Sequence, residues 1–225
     1  IPSKVTSIGM NAFVDCPNLS LITFMGRPPT VGSNVFSTIN ACYTSIHASM
    51  WEAVIDADGK WNGLEMERID VTGVLGALHY MILDEAIVIT KCDELDSTIL
   101  EVPSQIEGYR VTTINDSVFS SCGDLVSVTI PSTVVTIGDG AFSGCTNLYR
   151  DENGVQYESA AKVVLIDVPK SVMGEFVIPN TVRFIHTSAF SGCSGLTSVI
   201  IPSNVTSIGS SAFEGCSSLT MVTIP

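Results

Sequence analysis

Five cysteines, Cys16, Cys122, Cys145, Cys193 and Cys216, are the first candidates for chemistry, since thiols can bridge, bind metal or attack a carbonyl carbon. They hold one phase of a recurring pattern, so they must stack as a ladder. Parallel side chains at a strand spacing of about 4.8 Å keep their Cβ atoms farther apart than the roughly 3.8 Å of a disulfide. Buried thiols that donate weakly to free carbonyls are the expectation, while Cys42 and Cys92 lie outside the ladder and have no assigned role. No Cys-x-x-Cys with His partners is present to suggest a metal site. His47, His79 and His186 are scattered without ligand spacing. His186 stands where other repeats carry Gly9, Gly138, Gly209 and Asn115, which predicts a turn with positive φ at that position. Ser194 in Ser191-Gly-Cys-Ser194-Gly195 resembles a nucleophile elbow but lacks the Gly-x-Ser-x-Gly spacing. Asp56-Ala-Asp58-Gly59 opens like a calcium loop, but Lys60 takes a ligand position and no acid completes the loop. A pair drawn from Asp56, Asp58, Glu65 and Glu67, in an acidic cleft between two halves of the chain, is the remote route to glycan processing. No catalytic, metal-binding or cofactor-binding residue is assigned, and no cofactor is expected. Asn18, Asn115 and Asn204 open glycosylation sequons, which matter only in a eukaryotic secretory route.

What could position such groups follows from composition. The 225 residues are 45% hydrophobic and 15% charged, and 23 acids against 10 Lys and Arg give a net charge of -13. A chain this acidic, with no basic cluster, is a poor partner for nucleic acid or anionic membranes. The longest charge-free stretch, Phe184 to Phe213, is more than half Ser, Thr, Gly, Asn, Pro and His, so no bilayer span and no membrane insertion are expected. Ile1-Pro2-Ser3-Lys4 carries no leader, so no signal peptide is read within these residues.

The strongest signal is self-similarity. Ile178-Pro179, Ile201-Pro202 and Ile224-Pro225 recur at a period of 23 residues, and one unit fixes Ile201, Pro202, Val205, Ile208, Gly209, Ala212, Phe213, Cys216, Leu219 and Val222. Copies start at Ile1 and Ile130, and a looser one runs through Ile114, Phe119, Cys122, Leu125 and Val128. A unit so short cannot bury its own apolar face, so the units must stack into a solenoid of roughly nine or ten coils. Each coil is predicted to carry two short strands, such as Leu196 to Ile201 and Val205 to Ile208, joined by Ala-Phe-x-x-Cys as a turn of 3₁₀ that drops the Phe into the core. The Phe ladder, Phe13, Phe119, Phe142, Phe190 and Phe213, is read as core.

The motif Ile-Pro-x-x-Val-x-x-Ile-Gly-x-x-Ala-Phe-x-x-Cys-x-x-Leu-x-x-Val resembles the BspA-like leucine-rich repeats of bacterial surface and secreted proteins. The resemblance implies a mainly β fold with short helical or 3₁₀ turns: a leucine-rich repeat solenoid of 23-residue coils, a right-handed curved stack with two parallel sheets. It also implies an extracellular or cell-surface location and adhesion to host matrix proteins or other cells.

Between the clear copies the pattern fades, and residues 52–101 hold 12 of the 23 acids. Ser49-Met-Trp51-Glu52 reads as a capping box starting a helix at Met50, which Asp58-Gly59 would end. Residues 78–82 and 87–89 alternate around Asp84-Glu85 as a hairpin, and a similar hairpin is expected at Val155 to Tyr157 and Val163 to Ile166, after Asn153-Gly154. The expected organisation is a first leucine-rich repeat sub-array over 1–70, ending in a degenerate helix-containing segment, and a second over 71–225, opening with a β-hairpin. One uninterrupted solenoid is the alternative. A repeat cut at both ends suggests an excised piece of a longer chain, a monomer whose uncapped coils could make end-to-end contacts.

The repeated surface is the row of outward residues on the strand after Leu-x-x-Val. The candidate concave binding face is Leu21, Thr23, Ser127, Thr129, Ser198, Ile200, Met221 and Thr223, flat, uncharged and rich in Ser and Thr. Such a face suits protein or glycan ligands on host or neighbouring cells, with no enzymatic role. The alternative is a structural spacer within a larger surface protein.

Overall fold

A computed structural model describes residues 1–33, 35–36, 40–62 and 64–224. Pro225, the end of the repeat-opening dipeptide, lies outside them. The fold is mainly β with little helix, a β-solenoid of about nine turns. The chain divides into two compact units, Ile1–Gly73 with Met81–Ile87, and Val74–Tyr80 with Val88–Pro225.

In the first unit the parallel strands Leu21–Phe24, Asn40–Thr44 and Leu64–Ile69 lie side by side, with Lys60–Trp61 antiparallel to the last. Ser7–Ile8 and Thr30–Val31 form a second parallel pair. The core gathers large rings: Phe24, Tyr43, Trp51 and Trp61 are buried together in it. Phe24 and Trp61 both lie 4.9 Å from the Trp51 ring, and Trp51 Nε1 donates to Gly26 O at 2.7 Å. The helix on Trp51 differs from the capping-box expectation. It runs Ala48–Glu52 after a 3₁₀ turn at Ser45–His47, so Ser49 sits inside it. Its first-turn amide, Ser49 N, is satisfied from outside by Asp84 Oδ1 at 2.9 Å, which leaves the Ser49 hydroxyl no capping role. The helix also stops before Asp58-Gly59, where Asp56 Oδ1 accepts the Asp58 and Lys60 amides to close a separate turn. Leu78–Leu83 and Ala86–Cys92 flank Asp84 and Glu85, both at positive φ (49° and 61°), as a tight two-residue hairpin turn requires.

In the second unit the period becomes geometry. Ser198 pairs with Met221, Ile185 with Ile208 and Ile114 with Ile137, each pair one 23-residue repeat apart and each parallel. One side of the coils carries Met173–Val177, Gly195–Ile200 and Met221–Thr223, and separately Ile99–Glu101 beside Ser127–Thr129. The other carries Val164–Asp167, Phe184–Ile185 and Ser207–Ile208, and Tyr109–Ile114 beside Thr136–Ile137. Between the sides, Phe119, Phe190 and Cys193 are fully buried. The expected turn of 3₁₀ is instead a chain of separate turns, with Ala189 N on His186 O, Ser191 N on Ser188 O and Cys193 N on Phe190 O. A residue at positive φ breaks its regularity in every clear coil: Asn11, Ser117, Gly140, Ser188 and Ser211, at 60°, 57°, 64°, 59° and 53°.

That finding corrects the reading of Gly9, Gly138, Gly209, Asn115 and His186. The left-handed position lies two residues farther on, and these five sit at ordinary φ. At Gly138 and Gly209 glycine is needed for space. A Cβ on Gly209 would sit 2.4 Å from Thr187 N of the coil beneath, and one on Gly138 would sit 2.4 Å from Asp116 N. No atom lies within 4 Å of a Cβ on Gly9.

The hairpin after Asn153-Gly154 is present: Gln156–Tyr157 runs antiparallel to Val164–Asp167, and Asp151 Oδ1 holds the preceding turn through the Asn153 and Val155 amides. This hairpin makes the next coil irregular. Leu165 pairs with Ile185, 20 residues on, whereas Phe176 pairs with Val199, 23 residues on, so three residues are missing on the turn side. Val168 N reaches Ala189 O directly, without a Phe-bearing turn between. The same construction occurs earlier, where Cys92 N reaches Val118 O.

Candidate interaction surface

On the sheet of the last coils the inward residues Phe176 and Val199 build the core, and alternation turns their neighbours outward. Two rows result, Glu175, Ser198 and Met221, and Val177, Ile200 and Thr223. Met173 is 79% exposed, Val177 58% and Met221 53%, so the sheet presents large apolar groups to solvent. Ser198 is buried instead, flanked by Glu175 and Met221, with its hydroxyl 3.5 Å from Glu175 Oε2. Thr223 is exposed and Ile200 half-buried.

The other expected face residues lie on separate sheets. Ser127 and Thr129 pair with Ile99 and Glu101, and both Thr129 and Glu101 are exposed. Leu21 and Thr23 lie in the first unit, in line with Glu65 and Glu67 across the strand Asn40–Thr44, beside a shallow cleft of about 350 Å³. The outward rows are therefore not uncharged: Glu65 and Glu67 lie in line with Leu21 and Thr23 in the first unit, and in the second Glu101 lies beside Thr129 and Glu175 beside Ser198. These residues, with Met173 and Val177, escaped the repeat count although a signal was there. Leu100-Glu101 precedes Val102-Pro103, and Phe176-Val177 precedes Ile178-Pro179, as Val199-Ile200 precedes Ile201-Pro202.

Most of the residues weighed for chemistry have structural partners. All seven cysteines carry free thiols; Cys16 Sγ donates to Val14 O of its own coil, and the later ladder thiols donate to carbonyls of the coil beneath, Cys145 Sγ to Phe119 O at 3.2 Å and Cys216 Sγ to Phe190 O at 3.1 Å. Burial pushes the Cys145 thiol up to about 11 and raises those of Cys193 and Cys216. Cys42 Sγ donates to Thr23 Oγ1, and Cys92, fully buried, lies under Cys122, whose thiol reaches the Asp93 carbonyl at 3.3 Å. His47 pairs with Glu85 and His79 with Asp93. His186 Nδ1 meets Thr187 O and its Nε2 meets Phe142 N, so no nucleophile lies on either nitrogen. Asp56 caps its own turn and Glu65 lies across from Lys60.

A short-period β-solenoid with an Ile-Pro start, an inward Phe and a thiol on the turns of its clear coils, and an open sheet face defines a leucine-rich repeat protein. The sequence matches the BspA type leucine rich repeat region in six copies, over residues 1–53, 92–154 and 170–225, and the chain belongs to that family. Among solved structures it is similar to a T. pallidum leucine rich repeat protein, at 28% identity and a TM-score of 0.41, over 69% of this chain and 72% of that one. It is also similar to a leucine-rich repeat protein from Bacteroides capillosus, at 23% identity and a TM-score of 0.38, over 68% of this chain and 98% of that one. A leucine rich cell surface protein from Faecalibacterium prausnitzii is similar at 19% identity and a TM-score of 0.32, over 68% and 76% of the respective chains. No curated protein matches. Among the described residues no helix is long and apolar enough to cross a membrane.

Proposed function

We propose that the chain is a non-enzymatic protein-interaction module, acting outside the cell or on its surface in adhesion to host matrix proteins or neighbouring cells. The observation that carries this reading is the exposure of Met173, Val177 and Met221 on the outward face of a three-stranded sheet, where their two strands flank and pair with the central strand Gly195–Ile200. Large apolar side chains held outward on a rigid scaffold add nothing to the fold and match the apolar centre of a protein-binding patch. Membership of a repeat family supports an interaction role, and the likeness of the repeat to those of bacterial surface proteins supports the location. The thiols, the histidines and Asp56, by contrast, are engaged in thiol-carbonyl, backbone, ion-pair and turn contacts.

The test is binding of the chain to an immobilised panel of matrix proteins, with mucins and glycans alongside, repeated with a Val177→Lys, Met221→Lys variant. Saturable binding to a protein ligand, weakened about ten-fold or more in a variant that melts normally, is expected for a patch centred on these residues. Binding unchanged in the variant would remove this face from the account. Silence across the panel would favour the spacer reading.

A further inference from the structure

In full coils the turn amides are satisfied by the next coil. Ser188 N donates to Ser210 O and Phe190 N to Ala212 O, as Ser117 N does to Asp139 O and Phe119 N to Ala141 O. The coil containing Gly140 and Phe142 cannot follow this rule, because the coil after it lacks the Phe-bearing turn. Its two amides are taken by side chains from the coil beyond. Gly140 N donates to Thr187 Oγ1 at 3.3 Å, and Phe142 N, buried, to His186 Nε2 at 3.4 Å. Asp139 ties the same seam by accepting from Thr187 Oγ1 at 2.7 Å and Ser210 Oγ at 2.5 Å. The imidazole thus replaces a missing carbonyl, which it can do only with a lone pair on Nε2. The contact of Nδ1 with Thr187 O, at 3.2 Å, fixes the proton on Nδ1 and leaves Nε2 as the acceptor.

We propose that His186 is an acid-sensitive latch between two stretches of the solenoid: neutral, it closes the ladder over the short coil, and protonated, it faces the Phe142 amide donor to donor and lets the seam open. The groups around it agree. Asp139 is the charge that acts on it from the coil beneath, but the Ser210 and Thr187 hydroxyls already occupy that carboxylate and hold it below its usual range. On its own strand's approach, Arg183 donates to Val134 O, and on the strand beside it Asp167 pairs with Arg150 at 3.5 Å. The coil above, Ser207 to Ala212, presents hydroxyls and no titratable side chain. Burial, first among the influences, lowers the imidazole below its ordinary 6.5, with the Thr187 carbonyl and Asp139 opposing in part. A lowered folded value means that the unfolded chain binds the proton first. The latch is fully effective above the ordinary value of 6.5, and its contribution is lost as pH falls from there through the folded value.

Amide hydrogen exchange followed by NMR tests this, with rates corrected for intrinsic pH dependence. Protection at Phe142 is expected to fall by up to about ten-fold per pH unit as the pH drops from 6.5 toward the folded imidazole value and to level off below it, while Phe190, which donates to a carbonyl, keeps its protection. His186→Gln, which supplies an amide oxygen near the Nε2 position and does not titrate, should remove the difference. Parallel loss at Phe142 and Phe190, or an unchanged pH response in His186→Gln, would overturn the latch. If that variant does not fold, imidazole ¹⁵N shifts of the wild type decide: a proton on Nε2 at neutral pH refutes the proposal, and one on Nδ1 with selective loss at Phe142 supports it.

Discussion

Replacing Phe190 with Ala probes the stacked-coil core at its centre. The ring is fully buried, lies 4.7 Å from Phe213 at an interplanar angle of 18°, and meets Phe176 edge-on at 5.3 Å. Deleting a buried Phe side chain destabilises by about 3–5 kcal/mol, since the lost transfer energy is joined by an incompletely collapsed cavity. The two ring contacts account for about 1–3 kcal/mol of that. Because each coil touches only its neighbours, the loss falls on both interfaces of one coil. Phe213 is partly buried and has one ring partner, so Phe213→Ala should cost about half as much. In a chain of this size 1 kcal/mol moves the melting temperature by roughly 2–4 °C, so Phe190→Ala should melt about 6–20 °C lower. Thermal melts by circular dichroism, with urea titrations to check that the m-value is unchanged, give both numbers. An unchanged Tm for Phe190→Ala, or an equal loss at Phe213, would refute the nearest-neighbour core.

The glycine correction gives a paired test: Gly209→Ala should destabilise by about 1–3 kcal/mol through its clash with the Thr187 backbone, whereas Gly9→Ala, with open space around it, should stay within about 0.5 kcal/mol of wild type. Equal urea midpoints for the two would return the explanation to backbone φ. Thiol labelling at mildly alkaline pH should modify Cys145 only on unfolding, because burial both hides the thiol and raises it to about 11, while Cys16, half-buried, reacts sooner. Mass spectrometry finding native Cys145 labelled as fast as Cys16 would show that the ladder is open.

The coil period, the parallel ladders, the Phe and Cys columns and both hairpins were legible in the sequence, because each rests on local pattern repeated several times. The Gly-to-His exchange at 186 was visible too, but its reason was not. Glycine at one phase has two physical sources, a left-handed backbone and the nearness of another chain, and only the second depends on what lies beneath. The helix cap failed similarly, since Asp84 reaches Ser49 from 35 residues away. The face was half read. Ile200 and Thr223 follow from alternation, but Ser198 is covered by neighbours that alternation cannot supply, and Met173 and Val177 belong to a coil whose turn lacks the signature.

The spacing between coils also sets a word order. A coil stacked on a complete one must carry Gly at the crowded phase, as Gly32, Gly138 and Gly209 do over Met10, Asp116 and Thr187. A coil that follows a shortened one is released from that demand, and there the chain carries Asn115 and His186. The coils are therefore not interchangeable bricks. Duplication could lengthen a Gly-bearing run at will, whereas a His-bearing coil can be copied only together with the hairpin before it, so the unit of shuffling at that seam is the pair.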